Sequence, residues 1–201
     1  TGQQNHRLNG ITSGASFLPH DVFNSWGKLG RSGPYDLVVL DPPSFQKGSF
    51  VLGKDYPRVL RRLPELLTAQ GRVLAFISCK GGSGSTFLST NLAYNLASQE
   101  GKNVILIDVN LQFGDASLFI SDHKPTTNLA EVSRQIMRMD ASFLASSLLN
   151  VLPNLGILSA PEDPVQAMEV SPSHIDTLIN LARNHYDVII LDVGRALDPV
   201  S

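Results

Sequence analysis

The chain has 201 residues, 42% of them hydrophobic and only 17% charged, with a formal net charge of −2. That is enough apolar content for one substantial core and too little charge for a disordered regulator, and the faint negative balance gives no electrostatic reason to expect nucleic acid or a membrane as partner. A single cysteine, Cys79, allows no internal disulfide and fits a reducing, cytoplasmic setting, while no apolar run reaches the ~20 residues of a membrane span.

Six short apolar runs end in Gly, Pro, Asp or Ser: ASFLP (15–19), YDLVVLD (35–41), GRVLAFIS (71–78), KNVILID (102–108), LGILSA (155–160) and YDVIILD (186–192). Most are continuously apolar, as strands covered on both faces require, so parallel strands are predicted. Between them the spacing predicts helices. Asp55 to Ala69 carries a leucine stripe, with Pro64 set to kink it and with Arg58, Arg61 and Arg62 on a solvated face. A second helix runs from Phe87 through Leu96 and Ala97 to a stop at Gly101. Thr127 to Met139 and Ala141 to Leu149 are two short helices divided at Asp140, an N-cap residue, and Ser171-Pro172 opens the last one. Both ends of the chain look cut: residues 3 to 9 resemble the tail of a helix, and the sequence stops one short loop past a buried strand.

The stretch KGGSGST, residues 80–86, follows the third run and precedes a helix. Phosphate-wrapping loops need glycines so that backbone amides can turn inward, and a helix start whose free N–H groups favour anions. Gly81, Gly82 and Gly84 supply the turn, Ser83 and Ser85 complete the cradle, and Thr86 is a candidate magnesium ligand. The general pattern G-x-x-x-x-G-K-[ST] would place glycine at Cys79 and lysine at Ser85, and both are absent.

With Lys80 early in the loop, the stretch resembles the deviant Walker A ATPases of the MinD/ParA type. In that family the early lysine reaches the phosphates of a partner subunit, which implies a possible homodimer. LAYNLASQEGKNVILIDVNLQFGD (92–115) resembles the following helix and strand, and DVIILDVGRALDP (187–199) resembles the Walker B strand. The resemblance implies that Asp108 positions the attacking water or the magnesium shell, a possible catalytic role, and that Thr86, Asp108 and Asp192 hold magnesium through water. LQFGD and GRALDP are nearest the CpaE/TadZ branch, whose members often lack the second loop lysine. Binding of ATP or phosphate with little or no hydrolysis is therefore expected, and Asn110, where the family commonly has a second aspartate, lowers the expected turnover further.

Residues 5 to 75 resemble something else. NHRLNG, ASFLPHDVF, YDLVVLDPPSFQKGSF and DYPRVLRRLPELLTAQGRVLA are similar, in order, to pieces of class I S-adenosylmethionine-dependent RNA methyltransferases of the large-subunit rRNA type. The resemblance implies that Asp21 lies near the cofactor adenine and that Asp41-Pro42-Pro43-Ser44-Phe45 lines the target-base pocket. The parts of that family which wrap the methionine and the ribose would precede residue 1, so S-adenosylmethionine binding and residual methylation are not expected.

The fold expected is α/β: a single doubly wound parallel sheet of about six strands with helices on both faces. Residues 1–75 (methyltransferase-like) and 76–201 (ATPase-like) form one hybrid domain of engineered origin, joined inside GRVLAFISCKGG. The predicted order is 155–160, 102–108, 186–192, 71–78, 35–41, with ASFLP outermost. A purely structural chimera without activity is the alternative.

Overall fold

The computed structural model of the protein describes residues 8, 10, 14–18, 21–35, 37–40, 52–66, 72–77, 82 and 84–194. Strand β2, Arg72–Ile77, has its four central residues buried. On one side it pairs in parallel with β1, Leu37–Leu40, and on the other with β6, Val188–Val193. Beyond β6 come β3, Val104–Asp108, and β5, Leu155–Leu158, both parallel, and the last strand is β4, Leu149–Leu152, antiparallel to β5. The six form one sheet in the order β1-β2-β6-β3-β5-β4.

Alternation along each strand divides the core into two layers. Leu74, Phe76, Leu106 and Ile190 point to one face, where they meet Leu88, Leu92 and Leu96 of α3, Ser85–Glu100. The same layer holds Trp26 of α1, Trp26–Ser32, Val59 of α2, Leu52–Arg62, and Leu63 and Leu66 just after α2. Residues on both sides of β2 in the sequence thus share one apolar layer. Val73, Ala75, Ile105, Ile107, Ile189 and Leu191 point to the other face. Against them lie α4, Leu129–Arg134, α5, Ala141–Ser146, and α7, Pro172–Ala182, preceded by the short α6, Pro164–Ala167.

Local signals place the helix ends. Asp140 caps α5 by accepting from Phe143 N, and Ser171 caps α7 with Pro172 in the first turn. Gly101 ends α3 at φ +63°, a left-handed conformation that glycine adopts without a Cβ penalty. The α-helix α2 stops at Arg62, and Leu63–Leu66 continues as a tighter 3₁₀ turn, where Pro64 cannot donate to an α-helical ladder. Arg58 and Arg62 are solvent-exposed as expected, but they also pair with Asp55 and Glu65 and lie over the rings of Phe23 and Trp26.

Two expectations are corrected. Residues 15–18 of ASFLP, expected as the outermost strand, are not a strand: among the described residues none pairs with the outer edge of β1, and Phe17 and Leu18 are left 38% and 42% exposed. The sixth strand is β4, at the opposite rim and antiparallel, built from residues that follow the end of α5 at Ser146. Pro153 and Asn154 fold Leu149–Leu152 back on Leu155–Leu158 as a hairpin, a turn signal that the helical spacing of 141–149 concealed. The order of the other five strands is as predicted.

Candidate functional site

Parallel strands bring their carboxyl ends to one edge of the sheet, where open α/β folds bind ligands. At that edge α3 begins. Its N-cap, Gly84, has φ +82°, and Gly82 has φ +74°. Among the described residues no atom lies within 4 Å of where a Cβ would sit on either, and the positive φ by itself favours glycine here. Gly84 offers no side-chain cap, which leaves the first N–H groups of α3 available to an anion. Ser85 is 9% exposed at the first helical position. Cys79, Lys80, Gly81 and Ser83 lie outside the described residues, as do Asp41 to Phe45. Asp21 is described: exposed, it caps a 3₁₀ turn by accepting from Phe23 N at 2.8 Å.

Two acids close the other side. Asp108 ends β3, Asp192 lies near the end of β6, and the two are direct partners in the strand pairing, each 1% exposed. Asp108 is fully engaged: Oδ1 accepts from Asn110 N at 3.1 Å and Oδ2 from Ala116 N at 3.0 Å. Asp192 is the reverse, since among the described residues neither of its oxygens has a hydrogen-bond partner. The hydroxyls of Thr86 and Ser89 are near enough to favour its charged form. They stop short of bonding to it, and Ser89 Oγ donates to the Thr86 carbonyl at 2.9 Å.

Burial pushes both carboxyls up, Asp108 to about 7 and Asp192 to about 6. The Asp192 charge adds to the rise of Asp108, and Asp115 adds a smaller push on each.

The loop after β3 is held tightly over this pair. Asn110 Nδ2 donates to Phe113 O at 3.0 Å. A Cβ on Gly114 would lie 2.3 Å from Ala160 Cβ and 2.9 Å from Asp108 Oδ2, and one on Gly194 would lie 2.7 Å from Asn110 Oδ1. Ser89 and Gly114 were not singled out from the sequence. The signal for Ser89 was its spacing of three from Thr86 on one helix face, and that for Gly114 was its place inside LQFGD.

Among the described residues no group of three or more His, Cys, Asp or Glu could hold a metal ion unaided. A buried carboxylate with both oxygens unpartnered beside a threonine hydroxyl does suit magnesium, which takes one or two carboxylates and fills its shell with water and phosphate oxygens. Thr86 and Asp192 are the residues that would hold it, with Asp108 one strand away.

The fold and this edge of the sheet define a domain of the P-loop ATPase class. Residues 71–201 match the model of the AAA domain family and residues 1–106 that of S-adenosylmethionine-dependent methyltransferases. Each covers more than half of the chain, so the chain belongs to both families, and the two matches overlap over residues 71–106. A virulence plasmid ParA family protein of Chlamydia psittaci is 29% identical over 136 residues, 65% of this chain and 51% of that protein. The crystal structure of a ParA family ATPase from Chlorobium tepidum is 29% identical with a TM-score of 0.62, covering 66% of this chain and 55% of that one. The septum site-determining protein MinD of Pyrococcus horikoshii, complexed with Mg-ADP, shares the fold at 22% identity and a TM-score of 0.54, over 64% of this chain and 51% of that one. The chain spans about half the length of these relatives. Among the described residues no helix is long and apolar enough to cross a membrane.

Proposed function

We propose that the chain is a P-loop module that binds ATP or phosphate with magnesium and hydrolyses ATP slowly or not at all. The observation that carries this reading is the buried, unpartnered Asp192 carboxylate beside Thr86 at an uncapped helix start. An isolated buried charge is costly, and a cation shell with its phosphate would compensate it. Backbone amides of Gly81 to Thr86 hold the phosphates, Thr86 and Asp192 hold the magnesium side, and Asp108 orders water next to them. Bound magnesium would offset the phosphate charge. Ser85 in place of lysine removes a cation from the phosphates, so turnover is weak.

Nucleotide-dependent pairing of two copies, with Lys80 reaching the phosphates held by the partner, belongs to the same proposal, as does the folding of residues 1–201 as one hybrid unit around β2. The kinship with a ParA family ATPase supports the ligand class. Calorimetric titration of ATP with magnesium tests it. Saturable heat that weakens about tenfold in Asp192→Asn supports the proposal. No heat and no thermal shift at millimolar ligand rejects it, in favour of a purely structural role.

A further inference from the structure

At the opposite end of the sheet, where β3, β5 and β6 begin, a pocket of about 360 Å³ opens between the β4–β5 hairpin, α5 and the chain entering β6. Its floor is apolar. Leu148 and Leu155 are 7% and 1% exposed, and Gly156 lets Leu148 settle on the strand, since a Cβ there would lie 2.5 Å from Leu148 Cδ1.

Its walls carry Asn103, Asn150, His185 and Tyr186, and among the described residues none of their side-chain polar atoms makes a hydrogen bond. Asn154 differs, because its Nδ2 already donates to the carbonyls of Ala97 and Lys102. Among the described residues no Lys, Arg, Asp or Glu lines the pocket. Half-burial holds the Tyr186 phenol above its ordinary value, so it stays a neutral donor and acceptor.

We propose that this pocket is a second ligand site, built for a neutral, flat, hydrogen-bonding small molecule of the aromatic amide or nucleobase type. Its volume falls in the range of small-molecule sites, which begins at roughly 300 Å³. A charged ligand would find no side chain of fixed opposite charge in the lining, and its desolvation would go uncompensated. A flat molecule with both donors and acceptors replaces water on the exposed Asn103 and Asn150 amides and on the Tyr186 phenol, while its faces cover Ala141, Ala145 and Pro153, the open apolar part of the lining. The site is separate from the one around Asp192 and stands whether or not that one binds nucleotide.

Nicotinamide and its carboxylate counterpart, nicotinate, titrated into the full chain and followed by amide NMR shifts, test the proposal. Saturable shifts confined to residue 103 and residues 141–156 and 185–187 are expected with nicotinamide, at least about tenfold weaker with nicotinate, and about tenfold weaker in Asn150→Ala and Tyr186→Phe. Both variants should keep their melting temperature, since the deleted polar atoms make no hydrogen bond among the described residues. An absence of saturable shifts at tens of millimolar, an equal response to nicotinate, or an unchanged response in both variants overturns the proposal. The comparison of the two ligands on the unaltered chain decides it even if a variant fails to fold.

Discussion

Asp108 and Asp192 face each other across the β3–β6 pairing and are held in unlike states. The first is bonded through both carboxylate oxygens to the loop that follows it, and the carboxylate of the second has no hydrogen-bond partner among the described residues. Asp108 is therefore the anchor of residues 109–116, and the Asp192 carboxylate is the one the proposed function gives to magnesium.

In the ligand-free protein this pair makes stability depend on pH. Folded values of about 7 and about 6 lie above the unfolded value of 3.8, so the folded chain binds more protons than the unfolded one between those limits. The stabilisation is complete below the unfolded value and is lost as pH rises through the folded ones. The melting temperature should climb as pH falls from 8 to 5, and Asp192→Asn should flatten the rise. A flat profile in the unaltered protein would show that the two acids are solvated.

Restoring the missing loop lysine should strengthen nucleotide binding. Ser85→Lys places a cation at the first position of α3, where the phosphates would sit, and about tenfold tighter ATP–magnesium binding with faster phosphate release is expected. Calorimetry and a phosphate-release assay read the two effects. Unchanged affinity would mean that the helix start does not face the phosphates.

Gly114→Ala should cost about 1–3 kcal/mol, the usual penalty of forcing atoms into a packed site. The added methyl meets Ala160 Cβ and the Asn110 carbonyl, neither of which is the end of a flexible side chain, and the Asp108 carboxylate, which two backbone amides pin in place. Denaturant unfolding measures the loss, and the loop's hold on Asp108 should weaken with it.

Phe76 is fully buried in β2 and belongs to the layer shared by α1, α2 and α3. Phe76→Ala should destabilise by about 3–5 kcal/mol. Trp26, the chain's only tryptophan, reports on the segment before β2, while far-UV circular dichroism reports largely on the helices after it. The two signals should fall together in a single transition at a lower temperature. Separate transitions would contradict the one-unit proposal.

The five parallel strands were legible because each is buried on both faces and hence apolar without interruption, as in VILID of β3 and VIILDV of β6. The acids were legible too, since each ends such a run. The unpartnered state of the Asp192 carboxylate was hidden, because it depends on which carboxylate the backbone amides after β3 reach: those of Asn110 and Ala116 go to Asp108, and that of Val109 goes to the Asp192 main-chain carbonyl. β4 was hidden for another reason: none of its four residues is fully buried, so it lacks an interior strand's unbroken apolar run, and the helical spacing of 141–149 carries on into its first residue. Phe17 and Leu18 show the converse, apolar residues left exposed because no described strand stands outside β1.

The reversed direction of β4 also bears on self-association. Its ladder with β5 is irregular between Asn150 and Leu152, and the strand is only four residues long. A short, kinked margin offers a poor template for another chain to add to, so stacking of copies into fibrils is discouraged on that flank. Straightening it, by lengthening the hairpin or removing the irregularity, would turn a guarded border into an adhesive one.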